Sequence, residues 1–147
     1  GRLAIAENIE IKNKELTNLL KSNLIFDNVK LHGTLSPKEV HKLFAISDIS
    51  LLFSIFGESF PNVLAESMLY GTIPIATAVG DADYIISNFG EVLPLDITPL
   101  QISEIILKYA NLKNYSSDIW TKKVKECQDF SLDRFNIKTI ASQFNDL

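Results

Sequence analysis

Short apolar runs alternate along this chain with segments whose apolar positions recur every three or four residues. The first run, Leu3-Ala4-Ile5-Ala6, reads as a strand. A polar stretch leads to Leu16, Leu19 and Leu20, whose i, i+3, i+4 spacing predicts a helix over about 13–24. Val29-Lys30-Leu31-His32 is a short strand ended by Gly33, and Ser36-Pro37-Lys38-Glu39 is a capping box with proline at the first helical position. The helix it opens is expected to bury Val40, Leu43 and Phe44. Ile49 to Phe53 is almost continuously apolar, as suits a strand covered on both faces.

A loop over 54–60 then leads to a helix predicted from Pro61 to Tyr70, closed by Gly71 where a left-handed conformation is favoured. Ile73 to Thr77 reads as a strand, with Pro74 arguing against a central place in a sheet. A short helix is expected over 81–87 and a short strand over 92–95. Thr98-Pro99-Leu100-Gln101 is a second capping box, opening a helix with Ile102, Ile105, Ile106 and Tyr109 on one side. Trp120, Val124 and Cys127, then Ile137, Ile140, Ala141 and Phe144, carry the helical pattern to the C-terminus. This alternation predicts an α/β, Rossmann-like parallel sheet with helices on both faces, followed by C-terminal helices. In such sheets ligands bind beyond the carboxyl ends of the strands. The loops after Ala6, His32, Phe53 and Thr77 are therefore the places to look for chemistry.

Composition narrows the classes. The 147 residues, 46% of them hydrophobic, suffice for one ordinary domain with a sizeable core. A net charge of −4 with only Arg2 and Arg134 as arginines argues against a nucleic-acid partner. One cysteine excludes a disulfide framework and a cysteine-rich zinc site, and no apolar run approaches the roughly 18 residues of a membrane span. The expected location is cytoplasmic. His32 and His41 lack further ligands at metal spacing, and Ser54 lacks the companions of a hydrolase triad. Cys127 falls on an apolar stripe and reads as core; Asp81 and Asp83 read as donor-side groups or as caps. Lys122, Lys123 and Lys125 read as a solvated helix face, with a weak membrane-surface contact as the alternative.

The loop after Phe53 carries the most information. It delivers the chain to a helix whose free N–H groups face the binding edge and attract anions, above all phosphate. Glu58 precedes that helix and Glu66 lies within it. Ionised carboxylates only accept hydrogen bonds, so their partners are hydroxyls. A diphosphate flanked by hydroxyl-bearing sugars, as in a nucleoside diphosphate sugar, satisfies all three features; two solvated carboxylates are the plainer reading.

Seven residues separate Glu58 from Glu66, and this spacing resembles the E-x7-E motif of retaining glycosyltransferases of the GT-B fold, especially family 4. The likeness extends further. The stretch 45–54, with Asp48 and Ser54, is similar to the family's strand before the motif, and 58–77 is similar to its core, with Gly71, Pro74 and Ala76 in place. Asn28 to Gly33 resembles an earlier strand and turn. The resemblance implies that Glu58 accepts from donor-sugar hydroxyls and Glu66 from the ribose. It implies that Ser59, Phe60, Asn62, Val63 and Leu64 hold the diphosphate and ribose, and that Gly33 and Leu35 lie near the base. It also implies a hexose donor, a glycan or lipid-linked acceptor, retention of configuration, and neither cofactor nor metal.

The family's usual G-G-x-x-E appears as Gly80-Asp81-Ala82-Asp83-Tyr84, with Tyr84 where glutamate is expected, and no glycine follows the first strand. Residues 1–147 match most of the second, donor-binding domain of such enzymes. That domain's first strand and helix, and the N-terminal acceptor domain, would precede Arg2, so the chain alone is expected not to catalyse transfer. The rivals are a GT-B epimerase or phosphorylase half, and a non-catalytic doubly wound signalling or nucleotide-binding module. A receiver-like module would need an acidic pocket and a lysine, for which Glu7 and Lys30 are poor substitutes.

Overall fold

The computed structural model describes residues 3–5, 28–55 and 61–135. The chain divides into two compact units, Gly1–Leu43 and Phe44–Leu147. In the first, β1 (Leu3–Ile5) and β2 (Val29–Leu31) pair in parallel, with Leu3 opposite Val29 and Ile5 opposite Leu31. Gly33 turns the chain after β2 at φ +66°, a left-handed conformation that suits glycine. Helix α1 (Pro37–Ile46) opens with the predicted capping box. The Ser36 amide donates to the Glu39 carboxylate at 2.9 Å and the Glu39 amide to Ser36 Oγ at 3.4 Å. The Ser36 hydrogen bonds hold the Glu39 carboxyl below its ordinary range. Of the three apolar residues expected to be buried, only Phe44 is; Val40 and Leu43 are half-buried.

The second unit holds β3 (Ile49–Leu52), β4 (Ile73–Thr77) and β5 (Glu91–Leu93), all parallel in the order β3-β4-β5. Every residue of β4 is buried. Successive strand residues face opposite sides, so both faces of β4 are covered. Pro74 therefore sits in a central strand, contrary to the sequence expectation. It is tolerated because β5 joins the ladder only at Ile75, opposite Glu91, one residue beyond the proline. Gly90 lies against Pro74 there, leaving no room for a side chain. The expectation that β3 is covered on both faces also needs correction. It borders this sheet, and Leu51 and the following Phe53 are exposed.

Helix α2 (Asn62–Leu69) is shorter by one residue at each end than the pattern suggested. It closes as a Schellman motif: the Gly71 amide donates to Met68 O and the Thr72 amide to Ser67 O, with Gly71 at φ +77°. Helix α3 (Ala82–Ile86) begins after Asp81, whose side chain makes no capping bond. The Thr98–Gln101 box opens α4 (Pro99–Tyr115), and α5 (Ser117–Phe135) follows. Leu64, Met68, Ile73, Ile75, Ile85, Ile86, Tyr109 and Cys127 belong to one buried cluster, against which Ile102, Ile105, Ile106, Trp120 and Val124 pack. The helix expected over 13–24 and the stripe from Ile137 to Phe144 lie outside the described residues.

Candidate functional site

Because β3, β4 and β5 run the same way, the segments after Leu52, Thr77 and Leu93 leave from one edge of the second unit. Thr77 ties two of them together. Its buried hydroxyl donates to Ser54 O, fastening the loop after β3 to the end of β4. Ala78 N–H donates to Leu93 O, joining β4 to β5 at the same level. To return for β4, the chain must run α2 back from this edge, so the N-terminus of α2 belongs to it.

Among the described residues that N-terminus carries no side-chain cap. Pro61 occupies the N-cap position and the first turn has no acidic residue. The amides of Asn62 and Val63 have no intrahelical carbonyl to reach, and both residues are exposed. Leu64 is placed differently from these two: its amide donates to Pro61 O at 3.0 Å and its side chain lies in the core. It shapes the turn and is not an open donor. What the turn offers chemically is a pair of outward amides at the positive end of a helix dipole, suited to an anion.

Glu66 follows on the next turn, half-buried, about 6 Å along the axis from Asn62 at 1.5 Å per residue. Its neighbours Ala65 and Ser67 are buried. Ser67 Oγ donates to Leu64 O at 2.8 Å and meets Ser50 Oγ of β3 at 2.9 Å, so the sheet holds one side of this turn. Helix α5 holds the other. Ser131 Oγ donates to Ala65 O at 3.0 Å, Gln128 Nε2 donates to Leu69 O at 2.8 Å, and Val124 faces Gly71. As α5 residue numbers rise, α2 numbers fall, so the two helices are antiparallel and the end of α5 lies at the binding edge.

Asn62, Val63, Leu64 and Glu66 thus share the first two turns of α2. Glu58, Ser59 and Phe60 lie outside the described residues. Gly33 and Leu35 follow β2 in the first unit, with open space around Gly33. Asp81 and Asp83 are exposed. Tyr84, which replaces the expected glutamate, is half-exposed and lies under Arg134, whose guanidinium is 3.8 Å from the ring centre. The roles of Thr77, Gln128 and Ser131 escaped the sequence reading, since single polar residues among apolar positions carry no periodic signal. Cys127 is buried as expected, and burial pushes its thiol up to about 12. Among the described residues no three His, Cys, Asp or Glu side chains are grouped to hold a metal, and no helix is long and apolar enough to cross a membrane.

This arrangement is that of a Rossmann-like α/β fold with a helix N-terminus and carboxylate at its binding edge, and comparisons identify its class. Residues 3–119 match the family Glycosyl transferases group 1, and the chain belongs to that family. It is 28% identical over 137 residues to a glycogen synthase of Chlamydia muridarum (strain MoPn / Nigg), covering 89% of this chain and 27% of the relative. Anabaena HepE in complex with UDP-glucose superposes with a TM-score of 0.77 at 18% identity, covering 99% of this chain and 40% of that one. Sucrose-phosphate synthase from Thermosynechococcus elongatus gives 0.75 at 20% identity, covering 98% and 36%. The chain therefore spans well under half the length of these proteins, and its fold is that of GT-B glycosyltransferases.

Proposed function

We propose that the chain is the donor-binding domain of a retaining GT-B glycosyltransferase of family 4, which transfers a hexose from a nucleoside diphosphate sugar to a glycan or lipid-linked acceptor. The observation that carries this reading is the uncapped start of α2 at the carboxyl edge, with Glu66 one turn behind it in a chain of this family. The α2 amides would meet the diphosphate, and Glu66 would accept hydrogen bonds from the ribose. Glu58 would take the donor-sugar hydroxyls and Gly33 and Leu35 would flank the base. That Anabaena HepE holds UDP-glucose supports a nucleotide sugar as ligand. No cofactor or metal is required: developing charge on the departing diphosphate is stabilised by fixed dipoles already directed at it. The protein is proposed to work in the cytoplasm, with Lys122, Lys123 and Lys125 available for a weak contact with a membrane surface.

Calorimetric titration with UDP, GDP and ADP and with their glucose conjugates tests the assignment. Glu66→Ala is expected to weaken plain nucleotide and nucleotide sugar alike, by roughly 1–3 kcal/mol, because a ribose hydroxyl loses its acceptor. Glu58→Ala is expected to spare the plain nucleotide and weaken only the sugar-bearing form. Unchanged affinity in the first variant, or equal losses for both ligands in the second, overturns the corresponding role.

A further inference from the structure

We infer that Ser131, on the last turns of α5, is a positioning residue for Glu66, an inference that rests on the donor-site reading above. The Ala65 carbonyl that accepts the Ser131 hydroxyl belongs to the same planar peptide unit as the Glu66 amide. A donor fixed on that oxygen therefore sets the tilt of the unit from which Glu66 departs. The preceding unit is held in the same way from the opposite side, by Ser67 Oγ on the Leu64 carbonyl and by Ser50 behind it. Ser67 and Ser131 are both fully buried. In an interface between two apolar helix faces, alanine would fit in either place without burying a hydroxyl that must find a partner. Two hydroxyls instead grip the two successive peptide units that lead into the glutamate. Further along the same pair, where α2 ends, Gln128 Nε2 donates to Leu69 O at 2.8 Å and Val124 packs against Gly71.

The test measures affinity and stability together in the full chain. The ligand is whichever of UDP-glucose, GDP-glucose or ADP-glucose the wild type binds most tightly. Ser131→Ala removes the donor, and Ser131→Cys fills the space of serine with a much weaker one. Val124→Ala loosens the same helix pair at its distant end. Both Ser131 variants are expected to lose affinity about five- to tenfold, since small misplacements of a binding group are costly. Val124→Ala is expected to stay within twofold of wild type although its Tm falls at least as far. Wild-type affinity in either Ser131 variant, or an equal loss in Val124→Ala, overturns the positioning role while leaving the donor site standing. If the wild type binds none of the three, the donor-site reading falls, and this role with it.

Discussion

At Gly90 an added Cβ would come within 2.1 Å of the Pro74 carbonyl oxygen and 2.8 Å of its ring. Both obstacles belong to a central, buried strand and neither can swing aside. Gly90→Ala is therefore expected to destabilise the protein by roughly 3 kcal/mol or more, at the upper end of the overpacking range. Gly33→Ala meets no atom within 4 Å and bears only the strain of φ +66°, about 1 kcal/mol. Denaturant unfolding of the two variants checks the contrast, and similar losses would contradict it. The pair also shows what could be read from the chain. Gly33 and Gly71 punctuate strand and helix patterns and were legible as turns. Gly90 precedes a strand without any pattern to mark it, and its need for glycine arises from a residue sixteen positions away.

Among the elements, those whose limits are set locally followed the sequence closely. Both capping boxes formed, and the Gly71 closure of α2 appeared where the pattern put it. In the Thr98 box each partner satisfies the other's backbone amide, at 3.0 and 3.3 Å, so Thr98→Ala is expected to cost about 1 kcal/mol, read as a shift in the chemical-denaturation midpoint. Elements defined by their neighbours were harder to read. Pro74 looked peripheral because a proline withholds a ladder donor, yet the ladder to β5 starts just past it. The apolar run of β3 looked doubly covered, whereas Leu51 is exposed. The same limit applied to the site. Asn62 and Glu66 stand on a helix that could be located from its punctuation, while Ser131 reaches that helix from 65 residues downstream of Glu66, a distance that no local pattern spans.

For the molecule as a whole, a junction between β5 and α4 contributes to the acid response. Glu91 Oε1 accepts from Lys108 Nζ and from the buried Tyr109 hydroxyl, each at 2.7 Å. Burial raises the Glu91 carboxyl, but these bonds and the nearby Lys108 and Lys123 charges outweigh it and hold the group below its ordinary range. A carboxyl so lowered adds stability above its unfolded pKa of roughly 4.3, and loses it as pH falls through the folded value. The Tm of the wild type is expected to drop from about pH 5 downward, and Glu91→Gln to be less stable at neutral pH with a flatter acid limb. Parallel acid limbs in thermal scans would show that Glu91 does not contribute. The antiparallel course of α5 along α2 has an optical consequence as well. Trp120, the sole tryptophan, is half-buried against the core some eleven residues before Ser131, about 16 Å away along the helix at 1.5 Å per residue. Its emission should thus register the detachment of α5 as a red shift, yet stay blind to an anion seated at the start of α2, which makes this indole an internal gauge of folding rather than of occupancy.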